Sequence, residues 1–320
     1  MSKAERLNYL SSLISQYDME YYTLDNPSVS DEEYDTLKKE YIFLGGIENN
    51  VPGEASSAFS KYKHTIPIRS LEKVNNEADL RAAIQRLWPV VIEPKIDGLT
   101  VVIYPNEKGV GLFPTYTTRG NGEIGEDITD TALKMNNSVA LYSSKYPIRV
   151  EAFMKKSTLK SLNEERVKQG LEPFKNCRNA AAGMLRQKDI SQVEGIDYLA
   201  YNIVGSTETE SEQLKYIKNT GIPTIPYGSF KTVDDAVKFI INYDRNKLDY
   251  DIDGMVIKSD RPNSLAEFGE TGHHPKNAIS YKFPSQGQWT TLEAVSWSVG
   301  RTGKITPIAV IDPVNIMGST

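Results

Sequence analysis

Cysteine is almost missing from this 320-residue chain, in which Cys177 stands alone. A disulfide framework and a Cys-rich zinc site are therefore excluded. Histidine is nearly as scarce, and His64, His273 and His274 are too few and too scattered to argue for a metal site. A positive charge balance is lacking too: 37 basic against 42 acidic residues leave a formal charge of −5. Such a chain does not grip nucleic acid by bulk electrostatics, so any nucleic-acid role falls to a local patch or to parts outside it. No apolar run approaches membrane-spanning length, and Met1-Ser2-Lys3-Ala4-Glu5 has no signal-peptide core. The expectation is a cytoplasmic protein with no membrane partner. No G-x-G-x-x-G follows a strand-like run, so a Rossmann unit has no support, and no internal repeat is visible.

What is present reads as a soluble globular protein long enough for two domains, or for one large domain and an appendage. Residues 2–22 predict an amphipathic helix: Ser2-x-x-Glu5 is a capping box, and Leu7, Leu10, Ile14, Tyr17 and Tyr21 recur at helical spacing. Asp25-Asn26-Pro27 breaks it. Ser30-Asp31-Glu32-Glu33 repeats the capping signature, and Tyr34, Leu37 and Tyr41 form a second stripe. This is a helical hairpin with a loop at 23–30, too small to stand alone and expected to dock on something larger. Asp31 and Asp35 share a helix face, and Tyr21, Tyr22 and Tyr34 lie nearby. Together they suit a cup for a cationic ring or a ribose. Acids serving the helix dipole beside core tyrosines is the other reading.

A Gly/Asn/Ser/Pro-rich linker at 45–60 precedes a change of texture. Helical patterns follow at 77–88, 157–169, 179–187, 211–220 and 233–245, and strand-like runs at 109–118, 147–153, 197–204 and 252–257. Gly170 and Gly221 sit where helix C-caps prefer glycine. Strands outnumber helices without regular alternation, which predicts an α+β domain on a largely antiparallel sheet. Short β runs from Trp289 to Ile311, around Gly300-Arg301-Thr302-Gly303, look like the start of a small β-barrel.

The most suggestive stretch is Glu93-Pro94-Lys95-Ile96-Asp97-Gly98, between the apolar runs Val90-Val91-Ile92 and Leu99–Tyr104. It predicts a hairpin with Lys95 held at the bend. There, burial and neighbouring cations lower a lysine's pKa, and the neutral amine attacks phosphorus or carbon. A solvated lysine in a turn is the alternative. Other charges also fall inside or at the ends of apolar strands: Arg119 after Thr117-Thr118, Glu151, Asp251 and Asp253, Lys258, and Lys282 between Tyr281 and Phe283. Charges at strand positions are costly unless paired or facing a ligand. Lysines and an arginine with acids among them suit a polyphosphate and its Mg²⁺.

These segments resemble a known family. Lys95-Ile96-Asp97-Gly98 is similar to the nucleophile motif of the covalent nucleotidyltransferases, the DNA ligases, RNA ligases and mRNA capping enzymes. Tyr21-Tyr22 with Asp25-x-Pro27-x-x-Ser30-Asp31-x-Glu33-Tyr34-Asp35 resembles the N-terminal nicotinamide-mononucleotide (NMN)-binding segment of NAD-dependent DNA ligases. Ser70-Leu71, Thr118-Arg119-Gly120-Asn121-Gly122, Asn179-Ala180-Ala181-Ala182-Gly183, Asp251-Ile252-Asp253-Gly254-x-Val256-Ile257-Lys258 and Tyr281-Lys282-Phe283-Pro284 also resemble segments of the NAD-dependent DNA ligase family. Ser298-Val299-Gly300-Arg301-Thr302-Gly303 matches the start of that family's OB barrel.

The resemblance implies three parts: a helical NMN-binding domain (1–65), an ATP-grasp-like nucleotidyltransferase domain (66–285) and an incomplete OB segment (286–320). It implies Lys95 as the nucleophile toward NAD, with Lys258 and Lys282 on the α-phosphate and a second buried cation helping to keep Lys95 neutral. Glu93, Ser70, Leu71, Arg119 and Glu151 would bind the nucleoside, and Tyr21, Tyr22, Asp31, Glu32, Glu33, Tyr34 and Asp35 the NMN half. Asp97, Glu151 and Asp251 would hold Mg²⁺ waters, and Arg178 and Arg186 match arginines of later steps. The sequence departs from the family pattern at Tyr22, Glu72-Lys73, Val150, Cys177 and Met184. The rest of the OB barrel, a four-cysteine zinc finger, helix-hairpin-helix motifs and a BRCT domain are expected on a longer chain or a second polypeptide, and with them most contacts to nicked duplex DNA. An ATP-dependent nucleotidyltransferase and a non-catalytic NAD-binding subunit are the competing readings.

Overall fold

A computed structural model describes residues 3–22, 29, 31–46, 59–105, 114–138, 144, 146–187, 189–272, 274–284, 287–299 and 305–314. In chain order its elements are α1 (Lys3–Tyr22), α2 (Asp31–Phe43), β1 (Lys61–Lys63), β2 (Glu72–Val74), α3 (Glu77–Leu87), β3 (Val90–Ile96), β4 (Leu99–Tyr104), β5 (Thr115–Thr118), β6 (Ile124–Glu126) and α4 (Thr129–Ala132). Then come β7 (Ile148–Met154), α5 (Lys156–Lys168), α6 (Cys177–Leu185), β8 (Ile196–Ile203), α7 (Glu210–Asn219), β9 (Gly228–Ser229), α8 (Val233–Ile241), β10 (Ile252–Ser259), α9 (Ser264–Phe268), β11 (Ala278–Lys282), β12 (Leu292–Val299) and β13 (Ile305–Ile311). Residues 50–283 form one compact unit; 1–49 and 284–320 belong to another.

The two N-terminal helices pair antiparallel. Arg6, near the start of α1, donates from Nε and Nη2 to the Glu40 carboxylate near the end of α2, at 2.7 and 2.6 Å. Leu10 and Ile14, from the predicted apolar stripe, are buried. The capping boxes at Ser2 and Ser30, the 23–30 loop and most of the 45–60 linker lie outside the described residues. β12 and β13 pair antiparallel, with Val299 opposite Ile305. The connection at 300–304 also lies outside.

Within residues 50–283 two sheets carry the chemistry. One has the strand order β2-β11-β10-β3-β9, the other β5-β4-β7-β8. Every pairing in them is antiparallel except β11 with β2, in line with the expected α+β class. On the first sheet Ile92, Met255, Ile257, Ile279 and Tyr281 are buried with Leu80, Ile84 and Leu87 of α3 and Val237 and Ile240 of α8. On the second, Val101, Ile103, Val150 and Ala152 pack with Ala180, Ala181, Met184 and Leu185 of α6. Gly170 and Gly221 both have positive φ, 74° and 85°, as residues closing a helix in the left-handed region do.

The hairpin expected around Lys95 does not form. β3 pairs with β10 and β9, whereas β4 pairs with β5 and β7, so the chain leaves one sheet and enters the other at Asp97-Gly98. A two-residue link between apolar runs reads locally as a turn, but both strands find their partners far away in sequence. Gly98 is needed at the crossing, because a Cβ there would overlap the Ala152 carbonyl of β7. The Asp97 N–H donates to the Asp251 carbonyl at 2.9 Å. Lys95 is thus the penultimate residue of a strand and not the tip of a bend.

Candidate active site

Strand alternation puts the charged residues of the first sheet on one face. Lys95 lies opposite Gly254, which lies opposite Lys282; Glu93 lies opposite Val256, and Lys258 opposite Val91. Glycine is required between the two lysines, since a Cβ at 254 would overlap the Tyr281 carbonyl. Lys95 and Lys282 therefore flank one position of β10. Lys258 lies four residues further along, roughly 13 Å at strand rise.

The register of β10 slips between Ile252 and Gly254, leaving Asp253 as an extra residue. A bulge of this kind re-aims a side chain. Asp253 meets Lys95: the ammonium is 3.0 Å from each carboxylate oxygen and donates to Oδ2. Burial works to lower the Lys95 pKa, but the charges of Asp253, Asp97 and Glu151 prevail and raise it. The cation-lowered lysine expected from sequence is replaced here by an ammonium held among three acids. Its proton must leave before the amine can attack.

Lys258 is engaged elsewhere on the face. It is buried, donates to Glu93 Oε1 at 2.8 Å and to the Tyr201 carbonyl of β8 at 2.6 Å, and lies 3.4 Å from Glu210 Oε2 at the first turn of α7. Its charge is held by two carboxylates at the far end of the face. Burial drives the Glu93 pKa up to about 7, against the pull of Lys258 and with a push from Glu210. Glu93 Oε2 is buried without a hydrogen-bond partner among the described residues.

The second sheet contributes Glu151 opposite Thr100, whose hydroxyl donates to Glu151 Oε2 at 3.0 Å. Arg119 follows β5, and its N–H donates to the Thr100 carbonyl at 3.2 Å. Buried His64 accepts at one ring nitrogen and donates at the other, bridging Tyr104 Oη (2.8 Å) and the Arg119 carbonyl (3.0 Å). The carbonyl can only accept, so Nε2 carries the hydrogen and Tyr104 donates to Nδ1. Arg178, on α6 after its Asn176 N-cap, bonds Asp97 at 2.8 Å. Asp251 pairs with Lys156 at 3.3 Å and lies beside Cys177, whose thiol is pushed up to about 12 by burial and by that carboxylate. Asp97 and Glu151 act on the Lys95 charge; Asp251 belongs to this neighbouring group.

Ser70 and Leu71 precede β2, and the Ser70 carbonyl lies 3.0 Å from His274 Nδ1. Arg186 pairs with buried Glu126 at 3.3 Å. Tyr21 and Tyr22 are on α1 and Asp31, Glu32, Glu33 and Asp35 on α2, but their side chains lie outside the described residues; Lys38 Nζ stands 5.5 Å from the centroid of the Tyr34 ring. Glu210, Tyr201 and Thr100 escaped sequence reasoning as site residues, and Asp253 stood there only as one charge among several at strand positions. Only Asp253 carried a local signal, an Asp-Gly pair at the mouth of an apolar strand.

Residues 56–286 match the NAD-dependent DNA ligase adenylation domain, residues 1–56 the DNA ligase-like N-terminal NAD⁺-binding domain, and residues 289–320 the NAD-dependent DNA ligase OB-fold domain. The chain belongs to the NAD-dependent DNA ligase family. The DNA ligase of Bacillus licheniformis is 38% identical to it over 98% of this chain, and that of Oceanobacillus iheyensis 39% identical over 99%. The chain spans about half the length of these curated relatives, 51% in both cases. NAD-dependent ligase domains thus account for nearly all of it, and no described helix is long and apolar enough to cross a membrane.

Glu151 of this ligase chain yields a stability prediction. Burial raises its pKa from 4.5 to about 7, against the nearby charges of Lys95 and Arg178. Between those values the folded state binds more protons than the unfolded state, so this group's contribution to stability declines as pH rises to about 7. Glu151→Gln is expected to be more stable than the parent at pH 8, by at most about 3 kcal/mol, and equal to it near pH 4.5. Denaturant unfolding at several pH values checks this; a variant less stable at pH 8 than at pH 5, relative to the parent, contradicts it.

Proposed function

We propose that this chain performs the first step of an NAD⁺-dependent DNA ligase. Lys95 Nζ, once deprotonated, attacks the α-phosphorus of NAD⁺. An N–P bond forms, the bond from that phosphorus to the bridging oxygen breaks, and NMN leaves with the bond's electron pair. The product is a lysyl-AMP phosphoramidate. The observation that carries this reading is the ion pair of Lys95 with Asp253, on a sheet face shared with Glu93, Lys258 and Lys282. Covalent catalysis splits a hard condensation into two transfers, and positioning with charge neutralisation accelerates each.

In this reading Asp253 orients the nucleophile and is the nearest acceptor for its proton. Lys282, across Gly254, neutralises the α-phosphate, and Lys258 joins it if released from its acids. Glu93, Ser70, Leu71 and Arg119 hold the adenosine and Glu151 the ribose. Tyr21, Tyr22, Asp31, Glu32, Glu33, Tyr34 and Asp35 hold the NMN half. Among the described residues no three His, Cys, Asp or Glu side chains gather closely enough to ligate a metal directly. Asp97, Glu151 and Asp251 offer hard carboxylate oxygens that fit Mg²⁺ held through its waters. Bound there, Mg²⁺ supplies positive charge to the phosphate oxygens. The later steps, AMP transfer to the 5′-phosphate of nicked DNA and sealing by the 3′-hydroxyl, need the rest of the OB barrel and the zinc-finger, helix-hairpin-helix and BRCT parts, on the same chain or a second one. DNA binding by this chain alone is weak and its compartment is the cytoplasm.

Intact-mass spectrometry after incubation with NAD⁺ or ATP and Mg²⁺ tests the proposal. The expected result is one adenylate per chain with NAD⁺, none with ATP, and loss of the adduct when NMN is added. An adduct formed with ATP alone, or no adduct with either, overturns it.

A further inference from the structure

The buried trio of Glu93, Lys258 and Glu210 sets two carboxylates on one ammonium. On the proposed role of Glu93 in holding the adenosine rests a role for Glu210. A glutamate in the first turn of a helix is ordinarily explained by the helix dipole, and α7 has a Thr209/Glu212 capping box that serves its N-terminus. Glu210 is different, because it is only 5% exposed and turns to Lys258 at 3.4 Å. Lys258 has three hydrogens and three oxygen neighbours: Glu93, Glu210 and the Tyr201 carbonyl. One Glu93 oxygen is thereby taken by the ammonium, and the other, Oε2, is buried and has no hydrogen-bond partner among the described residues. A buried carboxylate oxygen without a donor is expensive unless a ligand supplies one.

We propose that Glu210 is a positioning residue of the adenine subsite: acting through Lys258, it holds Glu93 so that Oε2 stays open to the exocyclic amino group of the base. Lys258 is pinned from both sides, and Glu93 cannot close its second oxygen over the ammonium. The arrangement also has an electrical consequence. Glu210 is a like charge near Glu93 and adds to the burial that raises the Glu93 pKa to about 7. The other ionisable groups near this trio are Tyr201 on β8 and Arg149 on β7, both interacting with Glu210 or Lys258. An ionised carboxylate accepts from the amino group, and a protonated one competes with it as a donor. Occupancy of the subsite therefore falls as pH drops through the Glu93 value, which burial raises most and Glu210 raises further.

Adenosine is the suitable probe, because it has no phosphate to titrate and does not involve Lys95. Its affinity is measured by calorimetry between pH 5.5 and 8.5 for the parent, Glu210→Gln, Glu210→Asp and the solvent-facing control Glu212→Gln, each checked for folding by circular dichroism. Glu210→Gln should move the midpoint to lower pH, so that at pH 6.5 its affinity relative to its own plateau is about two- to threefold above the parent's. Glu210→Asp, which keeps the charge, and Glu212→Gln should keep the parent midpoint. An unmoved midpoint in Glu210→Gln, a loss of affinity uniform in pH, or no adenosine binding by the parent overturns the inference. A missing lysyl-AMP adduct on the parent instead overturns the nucleophile reading, independently of this midpoint.

Discussion

Lys95→Ala should abolish the adenylate adduct, lowering the rate of self-adenylation by more than about 10⁴-fold, as removal of a covalent nucleophile does elsewhere. Lys95→Arg is the more instructive variant. The guanidinium keeps a positive charge beside Asp253 but does not deprotonate in the working range, so it cannot attack phosphorus. It should be as inactive as alanine while leaving the folded structure close to the parent's. The two variants separate the charge of Lys95 from its nucleophilicity. The parent's own rate should rise with pH above 7, because Asp253, Asp97 and Glu151 raise the Lys95 pKa and the neutral amine is the minor form at neutrality. An adduct of parental yield in either variant, located by peptide mass spectrometry at another residue, would remove Lys95 from the mechanism.

Lys258→Met should cost stability on a similar scale of importance. The parent buries one cation between two carboxylates, and all three residues are under 10% exposed. Removing one partner of a buried ion pair leaves an uncompensated charge and typically costs about 3–5 kcal/mol. For a chain of this size that corresponds to a fall in melting temperature of roughly 4–7 °C. The loss depends on pH with a definite sign. Glu93 titrates near 7 in the parent because burial opposes its charge, and without Lys258 the charged form becomes harder still to sustain. The deficit should be largest at pH 8 and shrink toward pH 5.5, where the carboxyl takes up a proton and needs no cation. Adding Glu93→Gln to Lys258→Met should recover part of the loss at pH 8, since the double variant no longer buries that charge. Urea unfolding of the three proteins at both pH values measures this. A single variant within about 1 kcal/mol of the parent at pH 8 would mean that the trio is hydrated or rearranges easily.

Taken together, the two experiments read different parts of one sheet face. Lys95 and Lys282 mark the end proposed for the phosphate, and Glu93, Lys258 and Glu210 the end proposed for the base. They are joined by β3 and β10, whose opposite faces are buried in the core with α3 and α8. Charged residues on strands are tolerated here because they pair with one another, Lys95 with Asp253 and Lys258 with Glu93 and Glu210, while the alternate positions supply the apolar burial that holds the strands in register.

Much was legible in the residue order alone. Helical spacing marked α3, α7 and α8, and the apolar strand-like runs marked β3, β4, β7 and β10, because such signals act over a few residues. The motif around Lys95, with its companions in order along the chain, identified the family. What the sequence could not decide was partnership. The Lys95–Asp253 contact spans 158 residues and the Lys258–Glu210 contact 48, and no local pattern specifies either. The crossing at Asp97-Gly98 was hidden for the same reason: which sheet a strand joins depends on its neighbours' free edges, not on its own composition. The slip that turns Asp253 toward Lys95 arises only where β10 must pair with β3. Thus the sequence by itself determined the family, which lysine is proposed as the nucleophile, and which segments are strands. Only the tertiary structure decided that this lysine is an ammonium among acids and that Lys258 is turned away from it, because charge in a protein interior is set by what is brought within a few ångströms.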